Sequence, residues 1–264
     1  MYKTISSPMP VLKFFAFYAL LLAFFILGCK TSKTSGSNDG FVEIFDGKTL
    51  NGWEGDPVYW RVEDGNMVGE ITPATVVKRN TFIIWRGGKV ENFELKVQYR
   101  ITKGGNSGIN YRSEELPDLK YAMRGYQGDI DGYDAKPYTG MNYEERGRTT
   151  IAKRGQKVEL PPVPAGDSLN AHIKSNAWTA SVVTGSLGSE DSLKALIKDP
   201  GNWNDYHIIA RGNHLQHYLN GVLVCDVTDN DPAHAKMSGL IGVQVHVGPP
   251  MKIEYRHFLV KNLK

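Results

Sequence analysis

The sequence predicts an all-β fold, a jelly-roll sandwich of two antiparallel sheets with few short helices. Three observations carry this. Apolar residues recur with a period of two from Phe41 onward, two Asx-Gly dipeptides sit between such runs, and helical periodicity is scarce. Gly accounts for 28 of the 264 residues, above the usual ~7%, which fits many tight turns.

In chain order, strands are expected at Phe41–Phe45, Tyr59–Val62, Asn66–Val68 and Thr81–Trp85, with Asp64-Gly65 closing a hairpin. Phe93, Leu95, Val97, Tyr99 and Ile101 alternate with Glu94, Lys96, Gln98 and Arg100, the pattern of a half-buried strand. Gly108–Arg112, Tyr126–Ile130, Ala171–Lys174 and Trp178–Val183 follow. Val158–Gly166 (VELPPVPAG) reads as a Pro-rich loop. Glu190–Lys198 is the best helix, stopped by Pro200. Tyr206–Ala210 precedes a second hairpin, His214–Leu219 and Val222–Cys225 around Asn220-Gly221, and Gly239–Val247 comes next. Near the C-terminus, Ile253, Tyr255, His257 and Leu259 alternate with Glu254, Arg256, Phe258 and Val260. No repeat and no second core is visible, so residues 41–264 read as a single domain.

The N-terminus reads as an address. Lys3 and Lys13 precede Phe14–Leu27, an uncharged apolar run of 14 residues. A membrane span needs about 20, so the run fits the core of a secretory signal. Ile26-Leu27-Gly28-Cys29 resembles a bacterial lipobox, with Leu27 where a small residue is more common. Residues 1–28 are thus expected to be removed, Cys29 to be lipidated, and residues 29–40 to form a Ser/Thr/Gly-rich tether. Ordinary secretion with an incidental Cys29 is the alternative. Either way the chain is exported, and the lipid would hold it at the cell envelope, facing the periplasm or on the outer-membrane surface.

The formal charge of +3 falls to +1 without residues 1–28, which carry two lysines and no acid. Such a balance gives no support for nucleic-acid binding. Two cysteines, Cys29 and Cys225, exclude a disulfide framework and a Cys-based zinc site. No nucleophile elbow, phosphate loop or dinucleotide fingerprint is present.

In a curved sandwich the concave face of one sheet is a natural cleft, marked by polar residues at i and i+2. Asn106, Asn110 and Arg112 lie in a Gly-rich segment. Gln127, Asp129 and Asp131 share a face, and Asp134 follows; Asp129, Asp131 and Asp134 are a candidate calcium set, although no cofactor is required. Their spacing also echoes the carboxylate motif of jelly-roll retaining glucanases, each Glu one methylene short. Glu144, Glu145, Arg146 and Arg148 crowd together, as ion pairs or as site residues. Gln244 and His246 share a face, and His titrates near neutrality. His214 and His217 lie three apart near a turn.

Several blocks together resemble one family. They are Phe41-Val-Glu-Ile-Phe-Asp-Gly-Lys-Thr-Leu-Asn-Gly-Trp53, Trp60-Arg-Val-Glu-Asp-Gly65, Phe93-Glu-Leu-Lys96 and Gly105-Asn-Ser-Gly108. Gly125-Tyr-Gln-Gly-Asp129, Trp203-Asn-Asp-Tyr206, Ala210-Arg-Gly-Asn213, Leu219-Asn-Gly221, Gly242-Val-Gln-Val-His246 and Glu254-Tyr-Arg256 continue it. The chain resembles the 3-keto-disaccharide hydrolase domain family from Phe41 to Leu263. The resemblance implies a concanavalin A-like fold, an exported and often lipid-anchored protein, and a carbohydrate substrate. One departure is Gly125, where many members carry Glu in a Tyr-Glu-x-Gln strand.

The implied chemistry removes the proton on C2 of a 3-keto-glycoside, expels the C1 oxygen and adds water to the enone. With the same-face placements above, the resemblance implies His246 or Asp129 as base and Glu145 as acid. Arg112 or Arg148, with Gln127 and Asn106, would hold the 3-keto oxygen, and Asn110 and Gln244 would line the substrate. Two other classes stay open: a non-catalytic carbohydrate-binding lipoprotein, and an ordinary glycoside hydrolase with paired carboxylates.

Overall fold

The computed structural model describes residues 39–264. The signal segment, Cys29 and nearly all of the tether lie outside the described residues. Strands form where the period of two lets one face be buried. In Phe93–Ile101 the buried positions are Phe93, Leu95, Val97, Tyr99 and Ile101, as the alternation predicts. Each such side chain contributes roughly 1.5–3 kcal/mol by leaving water.

Two sheets result. The first runs Val182–Ser186, Gln156–Leu160, Val222–Asp229, His214–Leu219 and Asn204–Arg211, then Phe93–Ile101, Met251–Asn262, Asn66–Ile71 and Trp60–Glu63. The second runs Ile173–Lys174, Ala177–Trp178, Thr149–Ala152, Asn142–Glu145 and Met123–Asp131, then Asn106–Glu115, Leu240–Val245, Thr81–Trp85 and Trp53–Glu54. Pairing is antiparallel except where Thr149–Ala152 meets Ala177–Trp178 and Gln156–Leu160 meets Val222–Asp229. The core lies between the sheets, where Leu95, Ile101, Ile208 and Ile253 of the first join Ile109, Tyr111, Tyr126 and Val243 of the second. This is the jelly-roll sandwich expected from the sequence.

Both predicted hairpins form. Asp64 and Gly65, and Asn220 and Gly221, all have positive φ, as a two-residue turn requires. Elsewhere tertiary structure overrides local pattern. The C-terminal strand bulges between Arg256 and Leu259, with His257 at φ 55°. Burial therefore changes phase: Ile253 and Tyr255 face the core, but so do Phe258 and Val260. Of the segment read as a Pro-rich loop, Val158–Gly166, the first three residues belong to the strand Gln156–Leu160, whose backbone is satisfied by parallel pairing to Val222–Asp229, and the rest, 161–166, is loop as expected. Ala171–Lys174 is split between a helical turn, Leu169–His172, and a two-residue strand.

The predicted helix is shorter, Glu190–Lys194, capped by Ser189, whose side chain accepts from the Ser192 amide. Past Lys194 the chain tightens to i+3 bonds, the Leu196 and Ile197 amides donating to the carbonyls of Leu193 and Lys194, and the carbonyls of Leu196 and Ile197 accept from the Asn220 and Lys136 side chains.

A concave cleft on the second sheet

Five strands of the second sheet lie side by side: Asn142–Glu145, Met123–Asp131, Asn106–Glu115, Leu240–Val245 and Thr81–Trp85. A flat sheet would hold the outer two about 19 Å apart, four steps of ~4.8 Å. Yet Asn80, just before the last strand, donates from Nδ2 to both carboxylate oxygens of Glu145 at 3.2 and 3.3 Å. The sheet is therefore strongly curved, and its concave face encloses a cleft of about 510 Å³, within the ~300–1,000 Å³ of small-molecule sites.

Asp129, Glu145 and His246 line this cleft together with Asn106 and Gln127. A chain of amides connects them. Gln127 donates to Asp129 Oδ1 (2.7 Å), while Gln244 donates to Gln127 Oε1 (3.1 Å) and to Glu145 Oε2 (3.3 Å). Asn80 completes it, holding Glu145 with its amide nitrogen and accepting from the Val247 amide with its oxygen (3.0 Å). The Gln127 side chain lies across Gly108; a Cβ there would sit 2.4 Å from Gln127 Cδ, so only glycine permits this path.

His246 Nδ1 lies 2.6 Å from the Val247 carbonyl. A carbonyl only accepts, so the network assigns the proton to Nδ1 and leaves the Nε2 lone pair free in the neutral ring. Burial lowers the His246 pKa from its ordinary value, the hydrogen bond to Val247 opposing this, and favours that neutral form. Asp129 is shifted the other way. Burial, aided by the nearby carboxylates of Glu145 and Asp131, pushes it up to about 8 against the pull of Gln127. Glu145 is also raised, by burial, with Asn80, Arg146 and Gln244 opposing. The cleft thus pairs a neutral imidazole with a carboxyl that keeps its proton at pH 7.

Several expected members lie elsewhere. Arg148 points into the sandwich interior, fully buried between Glu144 and Asp229, because consecutive residues of the Asn142–Glu145 strand face opposite ways: Glu145 to the cleft, Glu144 to the core. Arg146 is the arginine at the cleft instead. Arg112 sits at φ 45° and spends its guanidinium on the carbonyls of Glu91, Gly212 and Lys236, so it ties loops together and does not line the cleft. Asn110 is on the cleft side of its strand but fully buried, 3.4 Å from Ser113 Oγ. Gln244 is likewise fully buried, reaching the cleft only through Gln127 and Glu145.

The calcium set does not assemble. The Asp131 carboxylate is filled by the Tyr133, Tyr138 and Thr139 amides and the Thr139 hydroxyl. Asp134 is out at the surface, paired with Lys103. Among the described residues no group of three His, Cys, Asp or Glu side chains is placed to hold a metal ion. Nor do His214 and His217 act together: His217 is buried between Tyr111 and Tyr206, and His214 faces Asp226.

The 3-keto-alpha-glucoside-1,2-lyase-like domain model matches residues 40–261. The chain belongs to that family. A protein of Bacteroides thetaiotaomicron named 3-keto-disaccharide hydrolase is 37% identical over 89 residues, which span 30% of this chain and 29% of that relative. Among solved structures, a candidate glycosyl hydrolase from Parabacteroides distasonis superposes with TM-score 0.53 at 18% identity, covering 86% of this chain and 95% of its own. A second from the same organism gives 0.52 at 18% identity over 84% and 99%. At these identities the likeness is one of fold.

Within the 3-keto-glucoside lyase-like family, the departure at Gly125 now has a physical basis. Gly125 has φ 148°, and a Cβ there would meet Ser113 Oγ at 2.5 Å. A glutamate does not fit this backbone. Sequence reasoning missed Asn80, Tyr133, Tyr138, Tyr143 and Asn176, which also line the cleft. Asn80, Tyr133, Tyr138 and Asn176 come from loops between strands and are brought in only by the fold, whereas Tyr143 shares a strand face with Glu145 two positions on and could have been found by parity.

Proposed function

We propose that the cleft cleaves 3-keto-glycosides by removing the C2 proton and expelling the C1 oxygen. The observation that carries this reading is the pairing of His246, with a free Nε2 lone pair, and Asp129, protonated at neutral pH, in one cleft. His246 takes the proton from C2, and the electron pair moves onto the C3 oxygen as an enolate. Asn106 and Arg146, which line the cleft, would donate to that oxygen. The enolate collapses, the C1–O bond breaks, and Asp129 gives its proton to the departing oxygen. Ionised Asp129 then takes a proton from water as the water adds to C1 of the enone, and C2 regains its proton from His246. The net reaction is hydrolysis. Release of the enone before water adds would make the enzyme a lyase.

Glu145, the acid implied by the resemblance, is held by Asn80 and Gln244 and serves here to fix both amides. Family membership and the name of the Bacteroides relative support the substrate class. Product analysis by mass spectrometry, after incubation with a glucoside and its 3-keto derivative, tests the reading: only the keto form should be cleaved. Cleavage of the unoxidised glucoside, or of neither, would overturn it.

We also propose that the protein is an exported lipoprotein anchored through Cys29, on the strength of the apolar run and the Gly28-Cys29 junction. Cells fed labelled palmitate should label the wild-type chain and not Cys29→Ser; equal labelling would exclude Cys29 as the anchor.

A further inference from the structure

We propose that Tyr133 and Tyr138 form a stacking platform for the ring of the leaving group. The site then prefers a glycoside whose aglycone is itself a ring, such as the second pyranose of a disaccharide, over one with a small alkyl group. The inference rests on the reading above, because the acid defines which side the leaving group occupies.

These tyrosines are the only aromatic residues among the strongly exposed large apolar side chains of the described residues, at 36% and 39%. Both line the cleft. Their ring centroids are 6.2 Å apart and their planes meet at 77°, so together they offer a face and an edge to one ligand. The loop that bears them is held from beneath. Asp131 accepts the amides of Tyr133 (3.1 Å), Tyr138 (2.8 Å) and Thr139 (2.7 Å). Lys136 donates to Ile197 O at 2.6 Å, and Arg154 donates to the carbonyls of Lys136 and Thr139 at 2.9 and 2.7 Å. A loop so pinned holds both rings open to the cleft, where an aromatic face can pack against an apolar face of a ligand.

Position identifies the occupant. Asp129 and Asp131 are two residues apart on one strand and on one face, roughly 7 Å along it. The platform therefore begins one step beyond the group that protonates the departing oxygen. Whatever is bonded to that oxygen meets the tyrosines next. A pyranose ring presents C–H faces that pack on an aromatic ring, whereas a methyl group reaches neither.

The test compares kcat/KM for a 3-keto-disaccharide with that for methyl 3-keto-glucoside in wild type, Tyr133→Ala/Tyr138→Ala and Tyr133→Phe/Tyr138→Phe. The ratio should fall about tenfold or more in the alanine pair and be largely restored in the phenylalanine pair, which keeps the rings. An unchanged ratio overturns the platform. Calorimetric binding of the unoxidised disaccharide to His246→Ala, with and without the alanine pair, separates this from the catalytic reading. Binding that the alanine pair abolishes supports the platform even if no keto sugar is cleaved. Binding that the pair leaves intact, or no binding and no cleavage at all, refutes it.

Discussion

Replacing His246 with alanine is expected to lower kcat/KM for 3-keto-glycoside cleavage by about 10²–10⁴-fold, the usual contribution of a positioned acid or base. The pH profile distinguishes its role from that of Asp129. His246 works as a base only when neutral, and burial lowers its pKa from 6.5. Asp129 works as an acid only when protonated, and its pKa is about 8. Wild-type kcat/KM should thus be bell-shaped, falling on the acid side below pH 6.5 and on the basic side near pH 8. Asp129→Asn should lose the basic limb along with most of the rate; a basic limb that survives in this variant would remove Asp129 from the acid role.

The same burial makes Asp129 costly to the fold as pH rises. In the unfolded chain it ionises near 3.8, in the fold near 8, so its contribution to stability is lost progressively between those values. Asp129→Asn does not titrate and should gain in Tm over wild type as pH is raised from 5 to 8. A Tm difference independent of pH would show that Asp129 is not held protonated.

Replacing Arg148 with methionine should destabilise the domain by about 3–5 kcal/mol, the usual result of breaking a buried charge network from one side. Arg148 donates from Nε to Glu144 (2.6 Å) and from its two terminal nitrogens to Asp229 (3.1 and 2.6 Å), with Asp231 3.6 Å away. All four side chains are almost completely inaccessible. Without the guanidinium, three carboxylates face one another in the interior, with His234 beside Asp231, the Tyr126 hydroxyl on Asp229, and single backbone amides as their remaining donors but no cationic fork to balance them. Thermal unfolding at pH 7 should show a Tm lower by on the order of 10 °C. Arg148→Lys should fall between, since it keeps the charge but not the fork. The effect on the site would be indirect, through the strand that carries Glu145 next to Glu144. A Tm within a degree or two of wild type would show that the network does not support the fold.

The fold was legible because its information is local. Alternation in Phe93–Ile101 depends only on which residues face the core, and Asn220-Gly221 closes a hairpin from its own backbone preference. The same locality brought Gln127, Asp129, Glu145 and His246 to notice, since each sits on a strand face whose parity can be counted. Parity fails where the strand is irregular, as at the His257 bulge. It also fails where two chemically similar residues flank a turn: Arg146 and Arg148 differ by two positions, yet the tight turn between them, with Arg146 at φ 53°, sends one to the cleft and the other to the core.

By itself the sequence determined the all-β class, the two hairpins, the family and the strand faces on which the proposed acid and base lie. The tertiary structure alone decided which polar residues share one cleft, because strand curvature moves groups from nominal separations of about 19 Å into hydrogen-bonding contact. It also decided their protonation, since burial sets whether a carboxyl or an imidazole keeps its proton, and burial is a property of the whole fold.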